Sequence, residues 1–354
     1  MKKHNFSAGP CILPQEVLKQ ASKAVLNFND DDLSLIEISH RSPAFVEVME
    51  KAQHLVLELL DLENKGYAVL FLQGGASLEF LMTPYNLLKK EGKAAYLDTG
   101  TWSSKAIKEA KLFGGIEVVA SSKDKNYNYI PKDYHISSDV DYFHCTSNNT
   151  IFGTQMKSFP KTDGLLVCDM SSDIFSRTLD FSQFDLIYAG AQKNMGPAGT
   201  TLVVIKKGIL GKTGRTIPSM LDYQVHISKD SMFNTPSVFA VYVSMLTLQW
   251  LKDLGGVNAI EKINNAKAEL LYGEIDSNPL FKGVAEKEDR SHMNVTFTLT
   301  DESLKDKFDA SWKAAGINGI GGHRSVGGYR ASIYNAMPLE SVQVLVNVMR
   351  KLSK

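Results

Sequence analysis

The sequence contains few cysteines and no excess of either charge, and both shortages exclude classes of protein. Its three cysteines, Cys11, Cys145 and Cys168, show no CxxC spacing. We therefore predict reduced structural or incidental thiols, rather than a disulfide framework or a metal site. Lysine and arginine together number 39, as do aspartate and glutamate, and no block of five like charges occurs. General nucleic-acid binding therefore has no electrostatic basis.

The chain also lacks a segment that would direct it to a membrane. Its first residues, MKKHNFSAGPCILP, hold no apolar run of the length that a secretory signal needs. The longest apolar stretch, residues 238–251, is interrupted by Ser244, Thr247 and Gln249 and is too short to span a bilayer. We expect a cytoplasmic protein that makes no membrane contact.

Composition and length indicate a folded protein of two domains. Apolar residues make up 44% of the chain and charged residues 22%, which allows a buried core and argues against disorder. The 354 residues are enough for one large and one smaller domain. We predict a large domain over residues 1–255 and a small one over 256–354. Residues 1–15 are a candidate segment to pack against the small domain.

Seven short apolar runs between residues 67 and 205 predict an α/β core. Segments with helical spacing separate these runs, and near-continuous apolar strands are typical of a sheet covered by helices on both faces. The runs are YAVLFL, KAAYLDT, IEVVA, VDYFHCTS, GLLVCDM, FDLIYAG and TTLVVIK.

The pattern changes after residue 236 and predicts a compact α/β domain at the C-terminus. Two long helical patterns, 237–254 and 257–275, are separated by a Gly-Gly stop signal. A strand (MNVTFTL), a helix over 302–315, a strand (YRASI) and a final helix follow. In the final helix four apolar residues fall on one face: Val342, Leu345, Met349 and Leu352.

A glycine-containing turn, Gln73 to Ser77, follows the first apolar run and precedes a helical pattern that starts at Leu78. A strand, a turn and a helix start form a ready anion site, because unbonded N–H groups and the helix dipole point at the turn. This pattern predicts a phosphate site. The alternative is an ordinary strand-to-helix turn.

Among the lysines, Lys193 has the sequence surroundings that best suit a catalytic amine. It lies in YAGAQKNMGPAGTTLVVI, between two apolar runs and among small residues, where a desolvated amine could attack an aldehyde. Asp169 ends the run GLLVCDM, at the strand edge where open α/β sheets place their ligands; it could instead cap a helix. Trp102 follows another strand end and could stack on a flat ring, although a core tryptophan is the common alternative.

Five sequence blocks resemble the phosphoserine aminotransferase family, whose members are fold-type I enzymes that use pyridoxal 5'-phosphate (PLP). The blocks span nearly the whole chain in the family's order. They are NFSAGPCILP near the start, ISHRS at 38–42, AGAQKNMGPAG at 189–199, MFNTP at 232–236 and GHRSVGGYRASIYNAMPLE at 322–340. The resemblance implies a mostly parallel seven-stranded sheet in the large domain, a small α/β C-terminal domain and a homodimer with shared active sites.

The resemblance also implies a role for each cofactor-binding residue. Lys193 would carry PLP as a Schiff base and move the proton during amino transfer, and Asp169 would hold the pyridinium nitrogen. The further assignments are Trp102 over the ring, Thr150 on the ring hydroxyl, Ala76, Ser77 and Gln192 on the cofactor phosphate, and Asn234 and Thr235 on the cofactor phosphate of the neighbouring subunit.

The substrates implied by the resemblance, L-glutamate and 3-phosphohydroxypyruvate, are anionic at both ends and call for arginines. Arg330 would bind the α-carboxylate. The far phosphate or carboxylate would be bound by two His-Arg pairs, His40 and Arg41 with His323 and Arg324 from a partner chain. Some relatives carry an arginine in a GGGRGQ turn, whereas this turn reads GGASLEF, so the far anion must depend more on the His-Arg pairs. A second phosphorylated keto acid, 3-hydroxy-2-oxo-4-phosphooxybutanoate of pyridoxine biosynthesis, is left open.

Two other functions compete with this interpretation. An alanine–glyoxylate or serine–pyruvate aminotransferase has substrates without a phosphate, and it would have no use for two His-Arg pairs. A PLP-binding protein without catalysis is the other alternative, and the presence of both Lys193 and Asp169 argues against it.

Overall fold

The computed structural model describes residues 3–353, which contain fourteen strands and nine α-helices. No helix in this range is long and apolar enough to cross a membrane. The strands are β1 (His4–Asn5), β2 (Tyr67–Leu72), β3 (Lys93–Asp98), β4 (Gly115–Ser121), β5 (Tyr142–Thr146), β6 (Asn148–Asn149), β7 (Thr154–Gln155), β8 (Leu165–Asp169), β9 (Leu186–Gly190), β10 (Thr201–Lys206), β11 (Phe281–Gly283), β12 (Asn294–Leu299), β13 (Ile317–Asn318) and β14 (Tyr329–Ser332). The helices are α1 (Gln15–Leu26), α2 (Pro43–Leu59), α3 (Gly75–Leu87), α4 (Thr101–Ala110), α5 (Tyr223–Ser228), α6 (Val238–Asp253), α7 (Gly256–Ser277), α8 (Lys305–Ala314) and α9 (Leu339–Leu352).

A seven-stranded sheet forms the centre of the molecule, in the order β2-β10-β9-β8-β5-β3-β4. Strand β10 runs antiparallel to both of its neighbours, and the other four pairings are parallel. Each of the seven apolar runs forms one of these strands. The predicted α/β fold with a mostly parallel seven-stranded sheet is therefore confirmed.

The strands are apolar along their whole length because each sheet face packs on a separate core. Val69 and Phe71 of β2 belong to a core shared with α1, α2 and α6. Leu70 and Leu72 of the same strand point the other way, into a core shared with α3 and α4. Successive side chains on a strand alternate between faces, so a strand covered on both sides carries no polar alternation.

The C-terminal part of the chain forms its own core around a three-stranded antiparallel sheet, β11-β12-β14. The predicted apolar face of α9 is confirmed, because all four of its residues are buried in this core: Val342, Leu345, Met349 and Leu352. Helix α7 takes part in both large and small cores, through Val257 near its start and Leu271 near its end. The predicted domain boundary at residue 255 thus lies directly before α7, the helix that contributes to both cores.

The first residues of the chain lie against this C-terminal part. Strand β1 pairs in parallel with β13, and Phe6 is buried in the small core. The chain then crosses to the sheet edge, where the Cys11 backbone N–H donates to the Gln192 carbonyl oxygen at 3.1 Å. The N-terminal segment therefore bridges the small core and the loop that carries Lys193.

Three details differ from the sequence predictions or were absent from them. Helices α1 and α2 were not predicted. Helix α3 begins at Gly75, three residues before the predicted start, because two glycines were interpreted as turn. The helix predicted over 302–315 is a single 3-10 turn followed by α8.

Lys267 of α7 is fully buried, and its Nζ donates to the Tyr334 carbonyl oxygen at 2.7 Å. Burial lowers the pKa of Lys267 to about 7, whereas an unfolded lysine has a pKa of about 10.4. At a pH between these two pKa values, Lys267 binds a proton in the unfolded chain but not in the folded chain. The contribution of Lys267 therefore makes the free energy of unfolding increase as the pH rises through that window.

Lys267→Met should flatten this increase, because methionine has a similar length and does not titrate. Urea unfolding of both proteins at neutral pH and at about pH 9 measures the difference. The same pH dependence in wild type and variant would mean that Lys267 stays protonated in the folded protein.

Candidate active site

The carboxyl edge of the sheet brings together residues that are distant in sequence. Asp169 is the last residue of β8 and pairs in register with Tyr188 of β9. Lys193 follows three residues after the end of β9. Thr200, just before β10, donates its hydroxyl to the Leu72 carbonyl oxygen at 3.3 Å, which places the glycine turn beside the same edge.

Lys193 is half-buried, and two predicted site residues surround its amine. Its Nζ donates to Thr150 Oγ1 at 3.0 Å and lies 5.7 Å from the centroid of the Trp102 ring. Burial lowers the pKa of Lys193, the Asp169 carboxylate opposes this shift, and the Arg330 charge adds to it. The neutral, nucleophilic form of the amine is therefore favoured.

Asp169 is buried beside this lysine. Its Oδ1 accepts a bond from the Ser171 backbone N–H at 2.9 Å. Burial raises the pKa of the carboxyl, and the Lys193 charge partly offsets that rise. Residues 171–175 form turns and not an α-helix, so the alternative role as a helix cap is not supported.

The glycine turn has the geometry of an anion site. Gly74 precedes α3 with φ +101°, and Gly75 has φ +66°, values that a residue with a side chain rarely adopts. A Cβ on Gly74 would lie 2.6 Å from the Leu78 side chain. Ala76 and Ser77 fall in the first turn of α3, where backbone N–H groups lack partners within the helix.

Asn234 and Thr235 lie next to this turn within the same chain. Gln73 Nε2 donates to the Thr235 carbonyl oxygen at 2.9 Å, and Asn234 Nδ2 donates to Gln73 Oε1 at 3.5 Å. The amide of Gln73 therefore connects the segment around residue 235 to the start of α3.

Trp102 is positioned by a hydrogen-bond network centred on Asp98, the last residue of β3. One carboxylate oxygen of Asp98 accepts bonds from Ser103 Oγ at 3.2 Å and Ser104 Oγ at 2.7 Å. The other accepts a bond from Ser121 Oγ at 2.8 Å. These bonds hold the first turn of α4 at the sheet edge, and Trp102 presents its ring towards Lys193 from that turn.

Arg330 approaches the site from β14. Its Nη1 donates to the Thr150 carbonyl oxygen at 3.4 Å, so Thr150 contacts both Arg330 and Lys193. Within the described part of the chain its buried Nε has no hydrogen-bond partner. A guanidinium with an unsatisfied donor beside a reactive amine is suited to bind a carboxylate.

Known proteins match this chain over nearly all of its length. The profile of the class-V aminotransferases matches residues 3–345. A phosphoserine aminotransferase of Flavobacterium johnsoniae is 73% identical over 352 residues, which are 99% of both chains. The chain belongs to the phosphoserine aminotransferase family.

Solved structures of the family share the fold. A phosphoserine aminotransferase studied for radiation damage of its Schiff base has a TM-score of 0.96 and 49% identity, covering 100% of this chain and 99% of its own. The PLP-bound enzyme of Trichomonas vaginalis has a TM-score of 0.93 and 35% identity, covering 99% of this chain and 100% of its own. The fold-type I architecture and the aminotransferase activity predicted from the sequence are confirmed.

The structure groups some of the residues that the family resemblance implicated and leaves others apart. Lys193, Trp102, Thr150 and Arg330 are linked by direct contacts, and the charge of Asp169 acts on Lys193. Gln192 is half-buried next to Lys193. Asn234 and Thr235 lie beside the turn that leads to Ala76 and Ser77. Within residues 3–353, no hydrogen bond joins His40, Arg41, His323 or Arg324 to Lys193.

The two His-Arg pairs differ in their exposure. His40 is buried, and no residue of the described range hydrogen-bonds its Nε2, whereas Arg41 is exposed. His323 and Arg324 are both exposed on the loop before β14, and His323 Nδ1 pairs with Ser325 Oγ at 2.7 Å. Arg41, His323 and Arg324 are therefore accessible on the surface of one chain, whereas the side chain of His40 is not.

Three residues near Lys193 were missed by the sequence interpretation. Cys11 contacts the Lys193 carbonyl oxygen through its thiol, and burial raises the pKa of that thiol to about 12, so it remains protonated. Asn194 Oδ1 accepts the Asn335 backbone N–H at 2.9 Å, which ties the lysine loop to the C-terminal part. Lys105 lies over Trp102; its spacing three residues after Trp102 on a helix was the signal that could have found it.

Proposed function

We propose that the chain transfers an amino group reversibly between L-glutamate and 3-phosphohydroxypyruvate, giving 2-oxoglutarate and O-phospho-L-serine. This is a step of the phosphorylated route to serine. The observation that carries the proposal is the arrangement of Lys193, a buried carboxylate, an indole ring and Arg330 around one point of the sheet edge. Relatives of high identity that bear the name of this activity support it.

The residues present fit PLP as the cofactor. An amine with a lowered pKa suits the aldehyde, the Asp169 carboxylate suits a protonated ring nitrogen, and the start of α3 suits a phosphate. Trp102 would cover the ring and Thr150 would bond its hydroxyl. Ala76, Ser77 and Gln192 would hold the phosphate. When bound, PLP supplies an electron-withdrawing ring and an aldehyde that carries the amino group between the two substrates.

Lys193 would hold the cofactor and, once displaced by substrate, would move the α-proton. Its Nζ donates to Thr150 and faces the Trp102 ring, and its lowered pKa favours the neutral amine, which can accept a proton. Arg330 would bind the α-carboxylate through the donors that it does not use in the protein. These two residues would orient every substrate in the same way.

The far anion would be bound by His40 and Arg41 together with His323 and Arg324 of the second subunit of a homodimer. Asn234 and Thr235 would likewise reach the neighbouring cofactor phosphate. The absence of an arginine from the glycine turn puts more weight on these pairs. The second phosphorylated keto acid, 3-hydroxy-2-oxo-4-phosphooxybutanoate, has the same two anionic ends as 3-phosphohydroxypyruvate.

A coupled assay with each keto acid tests the proposal. The purified protein loaded with PLP is given L-glutamate and either 3-phosphohydroxypyruvate, the longer phosphorylated acid, or glyoxylate and pyruvate as unphosphorylated controls. Turnover of 3-phosphohydroxypyruvate well above the controls is expected. Loaded protein that uses glyoxylate or pyruvate and ignores both phosphorylated acids would instead be an alanine–glyoxylate or serine–pyruvate type enzyme.

Arg330→Gln should lower kcat/KM for glutamate and for phosphoserine alike, because both present the same α-carboxylate. Loss of one partner of a desolvated charge pair costs about 2–5 kcal/mol, so a fall of about 10²-fold is expected. Steady-state kinetics with both substrates measure it, with Arg330→Lys as the variant that keeps the charge but loses the planar fork. A fall for only one of the substrates would contradict binding of the shared carboxylate.

A further inference from the structure

The turn at residues 150–153 determines where Arg330 lies relative to Lys193. This turn joins strands β6 and β7. Thr150 accepts a hydrogen bond from Lys193 Nζ on its Oγ1 at 3.0 Å and one from Arg330 Nη1 on its carbonyl oxygen at 3.4 Å. The two side chains proposed to orient the substrate therefore meet at one residue, and the distance between them follows the position of this turn.

Thr296 of β12 holds the same turn from the sheet below it. It lies directly opposite Arg330 of β14, and the side chains of directly opposed residues lie next to each other on one face of a sheet. Thr296 Oγ1 donates to the Phe152 carbonyl oxygen at 2.9 Å, and Arg330 Nη1 donates to the Thr150 carbonyl oxygen. Two neighbouring side chains of one sheet therefore bind two carbonyl groups of one turn.

The turn packs closely on β12. Gly153 has φ +77°, and a Cβ on it would lie 2.9 Å from the Asn294 carbonyl oxygen and still closer to Thr296 Oγ1. The Gly153 carbonyl oxygen accepts the Ser291 backbone N–H at 2.8 Å. Thr296 and Phe152 are both buried, so removal of the threonine hydroxyl takes a hydrogen bond from a buried carbonyl, a change that favours movement of the turn.

The base of the β6-β7 hairpin is fixed independently of Thr296. The buried Asn148 donates through Nδ2 to Asn294 Oδ1 and to Ser172 Oγ, both at 2.8 Å. Ser172 follows Asp169 by three residues, so these bonds tie the base to the segment after β8 as well as to β12. Loss of the Thr296 hydroxyl should therefore shift the tip of the hairpin and leave its base in place.

We propose that Thr296 is a positioning residue, which holds the turn at 150–153 and thereby sets the guanidinium of Arg330 at the distance from the Lys193 amine that a substrate α-carboxylate requires. This inference rests on the proposed function, because that function assigns the α-carboxylate to Arg330. Thr296 touches neither substrate nor cofactor and acts through the turn. Since every substrate presents the same α-carboxylate, Thr296 affects all of them alike.

Thr296→Val should raise the KM for glutamate and for O-phosphoserine by a similar factor, about fivefold, and leave kcat within about twofold. Valine keeps the shape of threonine but lacks the hydroxyl, so the turn and Arg330 lose their alignment. Thr296→Ser, which keeps the hydroxyl, should stay near the wild-type KM. A serine variant with the KM of the valine variant would assign the effect to the methyl group and contradict the proposal.

A double-mutant cycle with Arg330→Gln separates positioning from a general structural role. If Thr296 acts through Arg330, the fall in kcat/KM caused by Thr296→Val should shrink from about fivefold in the wild type to less than about twofold in Arg330→Gln. A hydroxyl that only stabilises the fold would lower kcat/KM by the same factor in both backgrounds, and that result would overturn the proposal.

Gly153→Ala disturbs the same contact from the turn, and it keeps the proposal testable if Thr296→Val does not fold. Its Cβ would collide with the Thr296 hydroxyl, so both KM values should rise while kcat changes little. Unchanged KM values in folded Gly153→Ala would show that Arg330 does not depend on this contact.

Thr298→Val is the matched control, because Thr298 lies two residues further along the same strand, where it pairs with Lys282 of β11. It should leave both KM values unchanged, and equal rises in Thr296→Val and Thr298→Val would count against the proposal. Turnover of O-phosphoserine by the wild type and its loss in Arg330→Gln test the proposed function separately. When both results hold, an unchanged KM in Thr296→Val overturns the role of Thr296 alone.

Discussion

Lys193→Ala should lower kcat by about 10³-fold or more, because one substitution removes both the covalent attachment of the cofactor and the base that moves the α-proton. The structure gives this lysine an environment that suits both tasks. Its amine contacts Thr150 and Trp102, and burial lowers its pKa. Steady-state kinetics of the variant with added PLP measure the fall.

Added primary amines separate the two tasks of Lys193. A small amine such as methylamine can enter the space left by the side chain and accept the α-proton, so it should restore part of the rate in a concentration-dependent way. Lys267→Met, which removes another buried lysine, is the control and should keep its activity. A Lys193→Ala variant with kcat near that of wild type would exclude the proposed role.

Asp169→Asn should give the second largest loss, about 10²- to 10³-fold in kcat, because a neutral amide cannot stabilise a positively charged ring nitrogen. The fold should be retained, since the Asn oxygen can still accept the bond from the Ser171 N–H. Stopped-flow or steady-state rates measure the loss, and a melting curve close to that of wild type shows that it is not caused by unfolding.

The same variant should also move the pH profile in a defined direction. The Asp169 carboxylate raises the pKa of Lys193 against the effect of burial. Its removal leaves only the smaller raising effects of Asp173 and Cys11 against burial and Arg330, so the limb of the profile that reports Lys193 should shift to lower pH. A shift to higher pH, or an unchanged kcat, would mean that Asp169 does not act on the lysine and the ring.

The strands were predictable because the sheet is buried on both faces. Runs such as YAVLFL and TTLVVIK have no polar alternation, and each lies within one residue of the strand that it forms. The predicted start of helix α3 was too late in the sequence. Gly74 and Gly75 generally disfavour a helix, but here both take the left-handed backbone conformation at the start of α3. The strand β1 was not predictable, because its partner β13 lies more than 300 residues away and two residues carry no periodicity.

The site was predictable where a residue type is required by chemistry and stands next to a strand end, as with Lys193 and Asp169. Contacts formed by tertiary packing could not be found in this way. Asn194 Oδ1, for example, accepts the Asn335 backbone N–H across the two parts of the molecule.

The pairing of β1 with β13 has a consequence for how the protein is made. His4 and Asn5 leave the ribosome more than 300 residues ahead of their partners Ile317 and Asn318. During translation β1 therefore stays without its strand partner while all seven strands of the central sheet are synthesised. The segment that carries Cys11 past Lys193 can therefore be anchored on its β1 side only after β13 has emerged, so the surroundings of Lys193 are completed after the sheet itself.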